Sequence, residues 1–96
     1  MNRFFEEQGR RWVVAAQRRE ARIDAPSLDP RVALELLELA RVAAHTQERR
    51  FAPLSCFMAG VAAERLRTAK PDIDDVAVAA YILEVRQELE AEAPPG

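Results

Sequence analysis

The sequence is poor in the residue types that most often carry chemistry. Its 96 residues include a single cysteine, Cys56, and a single histidine, His45. One cysteine has no internal disulfide partner, which favours a reducing compartment. A zinc site needs three or four cysteine, histidine or acidic ligands at workable spacing. The sequence therefore predicts neither a metal site nor a cofactor.

Long apolar runs are also missing. No run approaches the roughly 18–20 residues that span a bilayer. The first residues, MNRFFEEQGRR, lack the apolar core and small-residue cleavage site of a secretory signal. We therefore predict a cytoplasmic protein that has no membrane partner.

Strand alternation bounded by hairpin turns is absent, and so are internal repeats. What is present is a series of four segments with helical apolar spacing, separated by proline- and aspartate-rich breaks. They predict an all-α fold, a compact four-helix bundle with short connections, as a single domain over residues 1–96. The helices are expected at about 2–22, 30–46, 53–68 and 72–91, followed by a frayed tail at 92–96.

Several residues mark the expected helix ends. Asn2 is a candidate N-cap, and Asp29 followed by Pro30 is a typical helix start. Pro53 is expected to begin the third helix, and Asp72 to cap the fourth.

Two glycines and one apolar stripe bear on how the helices pack. Leu54, Phe57 and Met58 follow the 3–4 spacing of an apolar helix face. Gly9 and Gly60 both interrupt helical segments, which costs up to about 1 kcal/mol relative to alanine. Each is interpreted as a place where a neighbouring part of the backbone approaches closely.

Charge is distributed unevenly along the chain. The net charge is −2, but residues 1–23 carry six arginines against three glutamates, and residues 72–96 carry seven acids against one arginine. These complementary ends predict that the first and last helices pack side by side, or that two chains pair. Nucleic-acid binding is not expected, because modules of that kind are usually basic throughout.

Large aromatic side chains in the first helix are candidates for an interface. Small helical bundles often complete their core by pairing with another chain, and aromatic residues are frequent anchors of such contacts. Phe4, Phe5 and Trp12 are the predicted anchors of a homo-oligomer or of another protein-protein contact.

The segment AHTQERRFAPLSCF, residues 43–56, is a second candidate site. His45, Arg49, Arg50 and Ser55 are predicted ligands for a phosphate or carboxylate, together with free N–H groups at the start of the third helix. The alternative is structural, with His45 near the end of the second helix and the arginines solvated or paired with acids. Cys56 is expected to be a core thiol rather than a reactive one.

The stretch LLELARVAAHTQERRFAPLSCFMAGVAAERL, residues 36–66, resembles a small actinobacterial helical family of unknown function. The residues that carry the resemblance are Leu37, Leu39, Ala40, Arg41, Ala44, His45, Glu48, Arg49, Ala52, Pro53, Leu54, Ser55, Phe57, Met58, Gly60, Ala62 and Ala63. Members of that family occur alone, or as the tail of proteins resembling molybdopterin guanylyltransferases. The resemblance implies an accessory role near molybdenum cofactor chemistry, and it brings no catalytic residues.

These observations favour a non-enzymatic helical domain that acts through protein-protein contacts, either with another protein or with a second copy of itself. The alternative is a domain that binds a phosphate-bearing small molecule, such as a nucleotide or a pterin, through the segment from His45 to Ser55.

Overall fold

The computed structural model describes residues 2–92, and these fold into four α-helices. The helices are α1 (Arg3–Gln17), α2 (Pro30–Thr46), α3 (Phe51–Ala69) and α4 (Asp75–Ala91). No strand occurs among the described residues. The predicted all-α, four-helix fold class is confirmed. The predicted frayed tail falls mostly on residues 93–96, outside the described part of the chain.

By its internal contacts the chain divides into two compact units, Met1–Pro30 and Arg31–Gly96. The first contains α1 and the extended segment that follows it. The second contains almost all of α2 together with α3 and α4. The single-domain organisation therefore stays a prediction.

Helix α1 begins as the sequence predicts but ends five residues earlier than residue 22. The side chain of Asn2 accepts a hydrogen bond from the Phe4 amide at 2.8 Å, so Asn2 is the N-cap. Glu20 adopts a φ of 60°, and the Ala21 amide donates to the Ala16 carbonyl at 2.9 Å. This bond pattern closes a helix end around a residue in the left-handed region. Glycine usually takes that position. Because Glu20 takes it here, the sequence lacks the glycine that would have indicated the end of the helix.

The segment after α1 folds back over the helix at Gly9, the only buried residue of α1. A Cβ atom added at Gly9 would lie 2.8 Å from the carbonyl oxygen of Pro26 and 3.9 Å from the Cβ of Ala25. The prediction that Gly9 marks a close backbone approach is confirmed. Gly60 is different, because a Cβ added there would meet no atom within 4 Å, so the same prediction for Gly60 is wrong.

The second unit has a small core contributed by α2, α3 and α4. Leu39, Ala63, Val78 and Ile82 are buried together, and partly buried apolar side chains pack around them, namely those of Val32, Leu36, Ala59 and Ile73. The α2 side chains of this core, those of Val32, Leu36 and Leu39, follow the 3–4 spacing of one helix face. The α3 side consists of alanines, which allow α3 and α4 to approach closely.

The starts of α3 and α4 differ from the sequence prediction by two to three residues. Helix α3 begins at Phe51 rather than at Pro53. Asp74, not Asp72, is the N-cap of α4, and its carboxylate accepts from the Ala77 amide at 2.9 Å. Asp72 is exposed in the preceding turn. Several aspartates in a row satisfy the same capping pattern, so spacing alone does not select among them.

Candidate interaction surface on α3 and α4

The largest apolar side chains of α3 point away from the core of their unit. Leu54, Phe57 and Met58 are 60, 73 and 72% exposed, whereas Ala63 on the opposite side is buried. The sequence reasoning found this stripe but not its direction, because α3 is apolar on both sides. A helix that is apolar all round is normally covered on more than one side. We call Leu54, Phe57, Met58 and Val61 the outer stripe of α3.

A groove of about 200 Å³ lies beside the outer stripe, between α3 and α4. Its walls are almost entirely apolar, and the lining residues are Leu39, Ser55, Met58, Ala59, Ala62, Tyr81, Ile82, Val85 and Leu89. Met58 belongs to both the groove and the outer stripe. Shallower depressions continue from the groove along α3 past Phe57, Val61 and Arg65. The groove and the stripe therefore form one continuous apolar surface.

The α4 wall of the groove carries an acidic edge. Tyr81, Val85 and Leu89 succeed one another at four-residue spacing and line the groove. Glu84 and Glu88 are exposed and occupy the adjacent row of the same helix. The groove is therefore an apolar trough with negative charge along one side.

Ion pairs between α2 and α4 fix the position of that wall. Arg86 pairs with Glu35 of α2 at 3.3 Å, and the two side chains are only 15 and 18% exposed. Arg86 also pairs with Glu90 at 3.2 Å. Glu90 in turn contacts Arg41 of α2 at 3.3 Å. The charged groups thus connect the two helices on the side of α4 away from the acidic edge.

Hydrogen bonds in this network shift two pKa values. Bonds from Arg41 and then from Arg86 lower the pKa of Glu90 below its ordinary value of 4.5. Bonds to Glu38 and Glu90 raise the pKa of Arg41. Both groups are fully charged near neutral pH, so the network is intact there.

A second ion pair connects the end of α3 to the start of α4. The guanidinium of Arg67 lies 2.7 Å from the carboxylate of Asp75, and it also contacts Glu64 at 3.4 Å. This pair spans the connection of residues 70–74 and holds the two groove walls at one end.

Cys56 lies on the side of α3 that faces α2. Its thiol is half-buried and donates to the Leu36 carbonyl at 3.6 Å. Desolvation by burial raises the pKa of Cys56. A raised pKa leaves less thiolate at neutral pH. The thiol lies outside the group of buried core residues, and its low reactivity stays a prediction.

The predicted anion-binding residues are spread over different surroundings. His45 is exposed in the last turn of α2, and Arg49 is exposed in the following turn. Arg50 pairs with Glu48 at 3.3 Å and lies 6.0 Å from the centre of the Phe51 ring. Ser55, by contrast, lines the apolar groove.

The earlier start of α3 changes the surroundings of the backbone amides near this segment. The Phe51 amide donates to the Glu48 carbonyl at 2.9 Å, and the Ala52 amide to the Arg49 carbonyl at 3.2 Å. Pro53 has no N–H group. Two amides at the start of α3 are therefore bonded to backbone carbonyls, and anion binding at this segment stays a prediction.

The predicted interface residues of α1 are all solvent-accessible. Phe4, Phe5 and Trp12 are 61, 40 and 56% exposed, and the two phenylalanine rings meet edge to face at 5.1 Å. Trp12 shares a surface depression with Arg11, Ala15 and Arg18. Aromatic and basic side chains therefore occur together on α1.

Within residues 2–92, no three histidine, cysteine or acidic side chains are grouped as ligands of a metal ion. None of the helices in this range has both the length and the apolar character needed to cross a membrane.

The described residues form a small all-α fold that carries an exposed apolar surface and an adjoining groove. Over residues 6–95 the chain matches the family described as Domain of unknown function (DUF6457). The chain belongs to that family. Comparison with curated proteins gives no match, and comparison with solved structures gives none either.

Sequence reasoning missed the groove itself. Tyr81, Val85 and Leu89 follow helical spacing, but so do the core residues of α4, so spacing does not separate the groove from the core. The one signal that could have indicated the groove is the change from apolar to acidic sequence after Leu83. It places Glu84 and Glu88 among apolar residues, as at the edge of a contact surface.

Proposed function

We propose that this chain is a non-enzymatic interaction domain whose apolar surface on α3 and α4 associates with a second copy of the chain. The observation that carries the proposal is the outward direction of the outer stripe of α3. Three large side chains that are mostly exposed on one helix form an apolar patch, and such patches mark binding surfaces. Small helical domains commonly bury such surfaces by forming dimers.

The chain offers a matched pair of variants to test this proposal. Phe57→Gln removes an apolar ring from the outer stripe. Because Phe57 is exposed, the substitution should leave the core unchanged. Leu37→Gln removes a side chain that is 69% exposed on α2, away from the groove. Sedimentation equilibrium of both variants and of the wild type gives the dimer dissociation constant of each.

The expected result is a concentration-dependent dimer for the wild type and for Leu37→Gln. Phe57→Gln should weaken the dimer by about tenfold or more, because burying a large apolar side chain contributes roughly 1.5–3 kcal/mol. A wild type that stays monomeric at every concentration would contradict the proposal.

Two earlier predictions concern other functions. Anion binding by His45, Arg49, Arg50 and Ser55 stays a prediction, and the thermal shift produced by inorganic phosphate in wild type and in Arg49→Ala measures it. The link to molybdenum cofactor chemistry and the cytoplasmic location also stay predictions.

A further inference from the structure

We infer that the groove between α3 and α4 receives helix α1 of a second copy, an inference that rests on the self-association proposed above. The occupant is identified by its chemistry. An apolar groove with an acidic edge fits an amphipathic helix that has large apolar side chains beside basic ones. Helix α1 with its flanking residues is such a helix.

The groove and α1 carry charges of opposite sign. Glu84 and Glu88 are exposed beside the groove, and neither carboxylate forms an ion pair within residues 31–92. Arg11 and Arg18 are exposed beside Trp12, and neither guanidinium forms an ion pair within residues 2–30. Opposite charges at the edges of two apolar surfaces set the orientation in which they associate.

Helix α1 also has an exposed apolar surface. Only Gly9 of α1 is buried, so the aromatic side chains of this helix are not enclosed. A helix of 15 residues is close to the shortest that is stable alone in water, and most helices depend on packing of an apolar face. Trp12 and Phe5 lie seven residues apart, on one side of α1. They are spaced as anchors of a helix that lies in a groove.

Symmetry makes the contact self-limiting. If α1 of each copy lies in the groove of the other, two grooves are filled and the assembly closes as a two-fold dimer. Each copy then provides one basic helix and one acidic groove. Exchange of this kind explains why the two ends of one chain carry opposite charge.

Charge reversal tests the pairing. One variant carries Glu84→Lys with Glu88→Lys, and the other carries Arg11→Glu with Arg18→Glu. All four side chains are exposed, so the fold should be retained, and circular dichroism checks that it is. Asp72→Lys is the control, because Asp72 is an exposed acid outside the groove.

Each reversal variant alone should dimerise about tenfold more weakly than the wild type, whereas Asp72→Lys should not. An equimolar mixture of the two variants should regain the wild-type affinity, because the basic helix of one then meets the acidic groove of the other. The helix made acidic in the second variant likewise meets the groove edge made basic in the first. If α1 bound the groove of its own chain instead, mixing the two variants would not restore the dimer affinity.

Fluorescence provides a second readout, because Trp12 is the only tryptophan of the chain. Its emission should shift to longer wavelength when the wild-type dimer is diluted to monomer. Emission that is the same in dimer and monomer would overturn the inference.

The outcomes separate this inference from the proposed function. If Phe57→Gln disrupts the dimer but both reversal variants keep wild-type affinity, the surface is used and the assigned occupant is wrong. If the reversal variants are weak and their mixture does not recover, the exchange of α1 between copies is wrong. If the wild type never dimerises, the proposed function and the inference both fail.

Discussion

Two glycines in helical segments have opposite surroundings, and sequence alone does not distinguish them. Gly9 lies beneath the Pro26 carbonyl, whereas Gly60 faces open space. Alanine is preferred over glycine in a helix by up to about 1 kcal/mol, so the local preference is the same at both positions. Only the distance to a neighbouring backbone atom decides what a methyl group does there.

Gly60→Ala should raise the free energy of unfolding by about 0.4–1 kcal/mol, because it restricts the unfolded chain and meets no atom in the folded one. Gly9→Ala should lower the stability of the first unit by about 1 kcal/mol, because the new methyl group requires the Pro26 carbonyl to move.

Urea unfolding followed by circular dichroism measures the Gly60→Ala change, and the emission of Trp12 follows the first unit. Equal stabilisation by the two substitutions would show that Pro26 does not cross α1 at Gly9.

At the scale of the helices, capping residues illustrate what spacing can and cannot predict. The sequence gives a helix start in the segment KPDIDD, residues 70–75, and the structure has one there. The residue that caps it depends on the path of the chain, and the Asp74 carboxylate is the one aligned with the Ala77 amide. Asp75 forms an ion pair with Arg67 of α3. Local sequence does not predict this contact, because it joins two different helices.

Asp74→Ala should therefore destabilise the protein by about 1 kcal/mol through loss of the cap. Asp72→Ala should change the stability by less than about 0.5 kcal/mol, since Asp72 is an exposed turn residue. Thermal unfolding of the two variants compares them directly. A larger loss of stability from Asp72→Ala than from Asp74→Ala would show that Asp72, the residue that the sequence suggests, is the N-cap.

The charged network between α2 and α4 predicts a response to acid. Arg41 and Arg86 lower the pKa of Glu90 in the folded protein, so the Glu90 carboxylate stabilises the fold above its unfolded pKa. That contribution is lost as the pH falls below about 4.5, through the lower folded pKa. Because Glu90 is exposed, the effect is small and is reduced by salt.

Urea unfolding of wild type and Glu90→Gln at a series of pH values checks this prediction. The difference in stability between the two proteins should shrink as the pH falls from neutral to below 4.5, at low ionic strength. A difference that is constant over this range would remove Glu90 from the network.

At the scale of the whole molecule, the number and order of helices could be predicted from the sequence. Which side of α3 faces outward could not. Periodicity identifies Leu54, Phe57 and Met58 as one face. It does not say that this face points outward, because the alanine face with Ala59 and Ala63 is equally apolar and packs closer to α4. The choice depends on the space between helices, which is a property of the assembled unit.

The candidate site on α3 and α4 is not the segment whose residue types suggested a binding site in the sequence. The connection from His45 to Arg50 holds the distinctive residue types, yet its polar side chains are mostly exposed. The groove consists of ordinary apolar residues, so its significance comes from position and not from residue type. Acidic residues at its edge were visible as a charge pattern only.

The most direct test of the central claim is the oxidation of Met58 by dilute hydrogen peroxide at high and at low protein concentration. Met58 belongs to both the outer stripe and the groove, and it is exposed in a single chain. Peptide mass spectrometry measures sulfoxide at this residue. We predict that Met58 is protected at high concentration, where a second copy covers it, and oxidised readily after dilution. Oxidation as fast as in the unfolded chain at every concentration would contradict the claim that this surface binds another copy.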